Sequence, residues 1–69
     1  MPKKNELYRY LEENELTQRE FAKRLSKVRG WPVYQSQVNK WARGVHRPGR
    51  EIQGFIARAT KGAVPVESW

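Results

Sequence analysis

The chain has 69 residues, and its 14 lysines and arginines against 7 acidic residues give a formal charge of +7. A chain this short forms one domain at most, spanning residues 1–69, with a core that is marginal by itself. With no cysteine and one histidine, it has neither a disulfide framework nor the ligands of a structural zinc site, and we expect no metal or cofactor. The excess positive charge predicts a polyanionic partner, with nucleic acid ranked before an anionic membrane.

The amino-terminal segment, residues 1–11, lacks the apolar stretch of a signal peptide. No apolar run approaches the roughly 20 residues that cross a bilayer. We therefore expect a soluble, cytoplasmic protein, and the absence of cysteine suits that reducing compartment. Lys3 and Lys4 precede the first helical pattern, and two interpretations stay open for them: a phosphate contact or a solvated tail.

Two helices are predicted in the first half of the chain, over residues 5–14 and 18–27. Thr17 and Glu20 have the spacing of a capping box that opens the second helix. The apolar positions with helical spacing are Leu7, Tyr10 and Leu11 in the first helix and Phe21, Ala22 and Leu25 in the second. The outward positions of the second helix are basic: Arg19, Lys23, Arg24 and Lys27. Because Ala22 is small, another helix can approach closely there.

The third helix, predicted over residues 35–43, is the centre of the functional hypothesis. Gly30 and Pro32 interrupt the chain before it, and Gly44 suits the left-handed position that follows a helix. One face carries Val38, Trp41 and Ala42. The opposite face carries amides, a hydroxyl and cations: Gln35, Ser36, Gln37, Asn39, Lys40 and Arg43. A helix that is apolar on one side and rich in hydrogen-bonding groups on the other suits the major groove of DNA.

A fourth helix is predicted over residues 50–60, after a loop in which Pro48 suits a helix start. Its apolar stripe consists of Ile52, Phe55, Ile56 and Ala59. The tail, residues 61–69, alternates apolar and polar side chains, and Pro65 restricts it to an edge strand or an extended strap. The expected fold is therefore all-α, a small four-helix bundle with a short extended tail.

Residues 7–60 resemble the helix-turn-helix domain of Cro-type and related phage repressors. The resemblance is carried by Thr17-Gln18, by Ala22, by residues 33–38 and 41–44, and by the loop with Arg47-Pro48; the GAVP of residues 62–65 is similar to tails of such regulators. It implies a lambda repressor-like fold and a transcriptional repressor of a phage or prophage, acting in the bacterial cytoplasm. The interval between Ala22 and Val38 is longer than that family's usual spacing, so residues 26–32 are expected to form a bulged turn or an extra turn of the second helix.

The chemistry of the third helix predicts the DNA contacts. The first turn of a recognition helix lies deepest in the groove, so the base-reading residues are expected to be Gln35, Ser36 and Gln37, followed by Asn39 and Lys40. By resemblance, Gln18 contacts phosphate at the start of the second helix, and His46 and Arg47 hold the DNA backbone after the third. Further backbone contacts are expected from Lys27, Arg29, Arg43 and Arg50.

The tail suggests a dimer, because Val64, Val66 and Trp69 are many apolar groups for a free segment. We therefore expect a homodimer on double-stranded operator DNA, with neither a membrane nor a small-molecule substrate as partner. The alternative is a small antitoxin or adaptor that binds a protein partner as well as DNA, although residues 63–69 are short for a toxin-neutralising segment.

Three further expectations concern single side chains. Trp41 and Trp69 are expected to pack against the core, whereas Trp31 is left open between a cap on the core and a partner contact. His46 has no suitably spaced second metal ligand, and no nucleophile or carboxylate accompanies it in sequence. The protein is therefore not expected to be an enzyme.

Overall fold

The computed structural model describes residues 5–69, so the predictions for Lys3 and Lys4 lie outside the described residues. Four α-helices follow one another: α1 (Glu6–Glu13), α2 (Gln18–Arg29), α3 (Gln35–Ala42) and α4 (Arg50–Ala59). A short 3-10 helix, η1 (Val66–Ser68), ends the chain. Over residues 5–69 the structure contains helices and no strand, which confirms the all-α prediction. None of the helices in this described part is long and apolar enough to cross a membrane.

Side-chain caps determine where the first two helices begin. Asn5 Oδ1 accepts a hydrogen bond from the Tyr8 amide at 2.9 Å and so caps α1. Thr17 and Glu20 form the predicted capping box: Thr17 Oγ1 accepts from the Glu20 amide at 3.0 Å, and Glu20 Oε1 accepts from the Thr17 amide at 3.2 Å. The backbone hydrogen bond from Thr17 is the main reason that the pKa of Glu20 is lowered, because it stabilises the charged carboxylate.

α2 extends two residues beyond its predicted end at residue 27. The helix continues to Arg29, and Gly30 ends it in the left-handed conformation with a φ of +81°. The Ser26 hydroxyl then connects helix and loop. It donates to the Ala22 carbonyl at 2.7 Å and accepts from the Val33 amide at 2.8 Å. Residues 30–34 are therefore held against α2 by defined hydrogen bonds.

The core lies where α2 packs against both α3 and α4. Its fully buried large side chains are Phe21, Leu7, Leu25, Ile56, Val38 and Val64. Trp41 is 7% exposed, which confirms its predicted place in the core. The Asn5 side-chain amide donates to the Trp41 carbonyl, so α1 is tied to α3 as well as packed beside it. This packing fixes one face of α3 inward and leaves the other outward.

The tail differs from the prediction of an extended strap. Thr60 Oγ1 donates to the Ile56 carbonyl at 2.8 Å and accepts from the Val64 amide at 3.1 Å, which turns the chain back onto α4. Val64 is 0% exposed and belongs to the core of its own chain, so the expectation that it forms a dimer contact is corrected. Trp69 packs against the core as predicted, whereas Val66 remains 39% exposed.

Candidate nucleic-acid interface

The outward face of α3 is the most distinctive polar surface of the described chain. Val38, Trp41 and Ala42 are buried, as the sequence pattern predicts. The exposed positions on the other side are Gln35, Ser36, Lys40 and Arg43, with Asn39 and Gln37 half-buried. An amide, a hydroxyl and two cations therefore face solvent from one short helix, and they supply both donors and acceptors.

Gln18 and Asn39 are joined across two helices. Asn39 Nδ2 donates to Gln18 Oε1 at 3.0 Å, although the two residues are 21 positions apart in sequence. The bond links the first residue of α2 to the exposed side of α3 and fixes the orientation of both side chains. The predicted phosphate contact and one of the predicted base-reading residues thus form a pair, an arrangement that the sequence did not reveal.

Gln37 has a structural role that differs from the prediction. Its Oε1 accepts a hydrogen bond from the Tyr34 amide at 3.0 Å, which satisfies one of the free amides at the start of α3. A glutamine three residues after the residue that precedes a helix is in the capping-box position, and this signal was available in the sequence. Because its amide oxygen is occupied, Gln37 is a weaker candidate for base reading than Gln35.

A shallow groove runs beside α3, and we call it the α3 groove. Its lining residues are Gln18, Gln35, Ser36, Asn39, Lys40, Arg43 and Val45. Among these described lining residues there is no acidic side chain, and two are cations. The structure therefore brings together four of the five predicted base-reading residues and two of the predicted backbone contacts on one surface, and Gln35 is exposed on it.

Backbone hydrogen bonds fix the end of α3, just before the predicted DNA-backbone contacts His46 and Arg47. The Val45 amide donates to the Lys40 carbonyl at 3.0 Å and the Gly44 amide to the Trp41 carbonyl at 3.1 Å, with Gly44 at a φ of +74°. This pattern is a Schellman motif, and it confirms the predicted left-handed glycine. His46 is exposed just beyond it and does not line the α3 groove.

Arg47 and Arg50 follow in the same loop and at the start of α4. Arg47 Nη2 donates to the backbone oxygen of Trp69 at 2.8 Å, so its guanidinium is engaged with the tail. Arg50 is exposed at the first position of α4. Of these two cations, Arg50 is the better placed to meet an external phosphate.

A second groove lies between α2 and the start of α3. Its lining residues are Arg19, Ala22, Lys23, Ser26, Lys27, Val33, Tyr34 and Gln35. Lys27 is exposed here as predicted, but Arg29 is half-buried and its Nε atom is buried without a hydrogen-bond partner in the structure. Arg19, Lys23 and Tyr34, for which the sequence indicated no binding role, are exposed on this wall.

Trp31 is 70% exposed, so it does not cap the core. This exposure excludes the first of the two interpretations that the sequence left open, a cap on the core, and the partner contact stays a prediction. No family model, no curated protein and no solved structure matches the chain. The resemblance to phage repressors therefore depends on the sequence motifs alone.

Proposed function

We propose that the protein binds double-stranded DNA sequence-specifically through the exposed face of α3 and acts as a Cro-like transcriptional repressor of a phage or prophage. In this proposal α2 and α3 form a helix-turn-helix of the lambda repressor type, with residues 30–34 as the turn after a lengthened α2. The observation that carries the proposal is the α3 groove, in which the exposed amide of Gln35 and the exposed cations Lys40 and Arg43 lie on the side of α3 opposite its buried face, in a chain of net charge +7.

The proposed DNA contacts are of two kinds, those that read bases and those that hold phosphates. Gln35 can pair bidentately with adenine, and Lys40 can reach guanine acceptors or a phosphate. The Gln18–Asn39 pair presents its remaining amide groups between the two helices, where one strand of the duplex backbone would pass. Arg43 and Arg50 add phosphate contacts, which raise affinity without carrying sequence information.

A single module of this size reads few base pairs, so we propose that two copies bind half-sites about 34–36 Å apart. Val64 has no part in this contact because it is buried in its own chain. Val66, at 39% exposure, is the most exposed member of the predicted apolar set, and Trp69 is half-buried against its own core. Sedimentation that gives a monomer both free and on DNA would remove the dimer from the proposal.

The test is selection of duplexes from a random library, followed by titration of the selected duplex at several salt concentrations. If one subunit neutralises about four phosphates, log K falls with log salt at a slope near −3.6. Gln35→Ala should relax preference at one base pair by about 1–3 kcal/mol. The comparison variant Arg50→Gln should weaken binding to all duplexes alike and reduce the slope by about 0.9. Failure to enrich any sequence, or equal effects of both variants on every duplex, would reject sequence-specific reading by α3.

A further inference from the structure

Residues 30–34 carry two exposed aromatic side chains, and we call this segment the aromatic loop. Trp31 is 70% exposed and Tyr34 is 64% exposed, and they are the two most exposed large apolar side chains of the described residues. Exposure of a tryptophan to water is unfavourable unless a partner covers it, and tryptophan is strongly enriched at binding sites. The loop therefore requires an explanation that packing within the chain does not supply.

The aromatic loop is held in a defined conformation. Gly30 begins it at a φ of +81°, the Ser26 hydroxyl accepts from the Val33 amide at 2.8 Å, and Val33 is 6% exposed in the core. Pro32 fixes one further backbone angle between Trp31 and Val33. Because both ends are anchored, Trp31 projects outward from a structured turn, and little backbone order would be lost when a partner covers it.

Cations of α2 line the two depressions that the aromatic loop borders. Lys27 and Trp31 line the same shallow depression. Tyr34 lines the second groove together with Arg19, Lys23 and Lys27, and among the described lining residues no acidic side chain occurs. Arg19, Lys23 and Lys27 are four residues apart, so they are spaced about 6 Å from one another along α2. Such a row can meet successive negative charges of a polyanion.

The second groove continues into the α3 groove, because Gln35 lines both. A duplex seated on α3 would therefore extend over the cations of α2 toward the aromatic loop. We infer that Trp31 and Tyr34 contact the DNA backbone next to the base pairs read by α3, with Lys23 and Lys27 holding the adjacent phosphates. This inference depends on the proposed function and adds binding residues to it. The aromatic rings pack on sugars, and the cations set the position of that strand.

The experiment measures binding of the selected duplex by fluorescence anisotropy across a series of salt concentrations. Trp31→Ala should weaken binding about five- to tenfold at every salt concentration, and the salt slope should stay unchanged because no charge is removed. Trp31→Phe should retain most of the affinity. The double variant Lys23→Gln/Lys27→Gln should instead reduce the slope by about 1.8, at about 0.9 for each phosphate contact.

The charge-matched control is Arg58→Gln/Lys61→Gln, since both residues are exposed on or just after α4 and line neither groove. This control should leave the slope near that of the wild type. Unfolding in urea should be unchanged for Trp31→Ala, because an exposed side chain contributes little to the core. If Trp31 acted only in folding, Trp31→Ala would change the unfolding curve in urea. The folded variant would then bind the duplex with wild-type affinity at every salt concentration.

Acrylamide quenching gives an independent readout. Trp31 is 70% exposed and Trp41 is 7% exposed, so the difference between the wild type and Trp31→Phe isolates the accessible fluorescence of Trp31. The selected duplex should protect that component. Wild-type affinity of Trp31→Ala, with quenching of Trp31 that the duplex leaves unchanged and with Gln35→Ala still impaired, would overturn this inference and leave the proposed function standing.

Other outcomes point elsewhere. Absence of duplex binding by the wild-type protein would overturn the proposed function and this inference together. Loss of self-association in Trp31→Ala, with unchanged DNA affinity, would make the aromatic loop a protein contact. Tighter binding to vesicles containing phosphatidylglycerol than to the duplex, sensitive to Trp31→Ala, would make it a membrane contact. Either result would reject the DNA assignment of Trp31.

Discussion

The aromatic loop and the tail are built by the same local device and yet end with opposite exposures. In both, a helix is followed by a left-handed glycine, Gly30 at +81° and Gly62 at +85°. In both, a hydroxyl near the helix end donates to the carbonyl four residues earlier and accepts from the amide of a core valine. Ser26 serves Val33 in the loop, and Thr60 serves Val64 in the tail.

The difference lies in the tryptophans. Trp69 follows its valine, and the 3-10 turn of η1 folds it back against the core. Trp31 precedes its valine and is exposed to solvent in a depression that it shares with Lys27. Trp31 lies within its turn and is exposed, whereas Trp69 lies five residues after Val64 and reaches the core through η1. The comparison indicates that the tail serves stability and that the aromatic loop is available for binding.

The largest expected effect is on the free energy of unfolding and concerns Val64, the core valine of the tail. Val64→Ala should lower the free energy of unfolding by about 2–3 kcal/mol, because it removes fully buried methyl groups and leaves a cavity. Val66→Ala, at a position 39% exposed, is the matched control and should change stability by less than about 0.5 kcal/mol. Urea denaturation measures both. If Val64 instead contacted a second copy, its substitution would shift a concentration-dependent association and leave the monomer's stability intact.

Removing the hydroxyl of Thr60 or of Ser26 should have an intermediate effect on the free energy of unfolding. Thr60→Val should cost about 1–3 kcal/mol, because Thr60 is 3% exposed and the Val64 amide would lose its partner in a buried site. Ser26→Ala should cost less, about 1 kcal/mol, since Ser26 is half-buried and water can replace part of its bond to Val33.

Urea denaturation of both hydroxyl variants, read with hydrogen exchange at Val33 and Val64, would show whether each effect is local. Equal effects of the two substitutions would contradict the different burial of the two turns. Faster exchange at Val33 alone in Ser26→Ala would support a loop that one side chain keeps in place.

Local signals in the sequence predicted the start of α2 and the end of α3. Thr17 with Glu20 marks the start of α2, and Gly44 marks the end of α3, because each acts on backbone groups within a few residues of itself. The amphipathic pattern around Val38 and Trp41 also predicted which face of α3 is open. These features depend on spacing along one helix, and spacing is what a sequence displays directly.

Features that depend on tertiary contacts were not predictable in this way. The bond between Gln18 and Asn39 exists only because α2 and α3 pack together. The alternating pattern around Pro65 is typical of an extended segment, and the hydroxyl of Thr60, an ordinary helix-end residue in sequence, draws Val64 into the core. The sequence did not decide whether Trp31 is buried or exposed. Val33 is the side chain of the loop that enters the core, and Trp31 is left exposed.

The smallest expected effect on stability concerns the residues in the left-handed conformation at the ends of α2 and α4. α2 ends directly at Gly30, whereas α4 passes first through Lys61, a non-glycine residue at a φ of +54°. A left-handed conformation costs an L-residue about 1–2 kcal/mol, and glycine has a greater entropic cost of about 0.5–1 kcal/mol. Lys61→Gly should therefore stabilise the protein by about 0.5–1 kcal/mol.

Gly30→Ala should have the opposite sign and destabilise by about 1 kcal/mol. The space around Gly30 is open, with no atom within 4 Å of an added Cβ, so the whole effect is conformational. Glu15, at a φ of +53° after α1, provides a second site at which glycine should stabilise, and urea denaturation of all three variants tests the sign. A destabilised Lys61→Gly with a stabilised Glu15→Gly would mean that the lysine side chain contributes to the tail, and the tail would then depend on more than Thr60 and Val64.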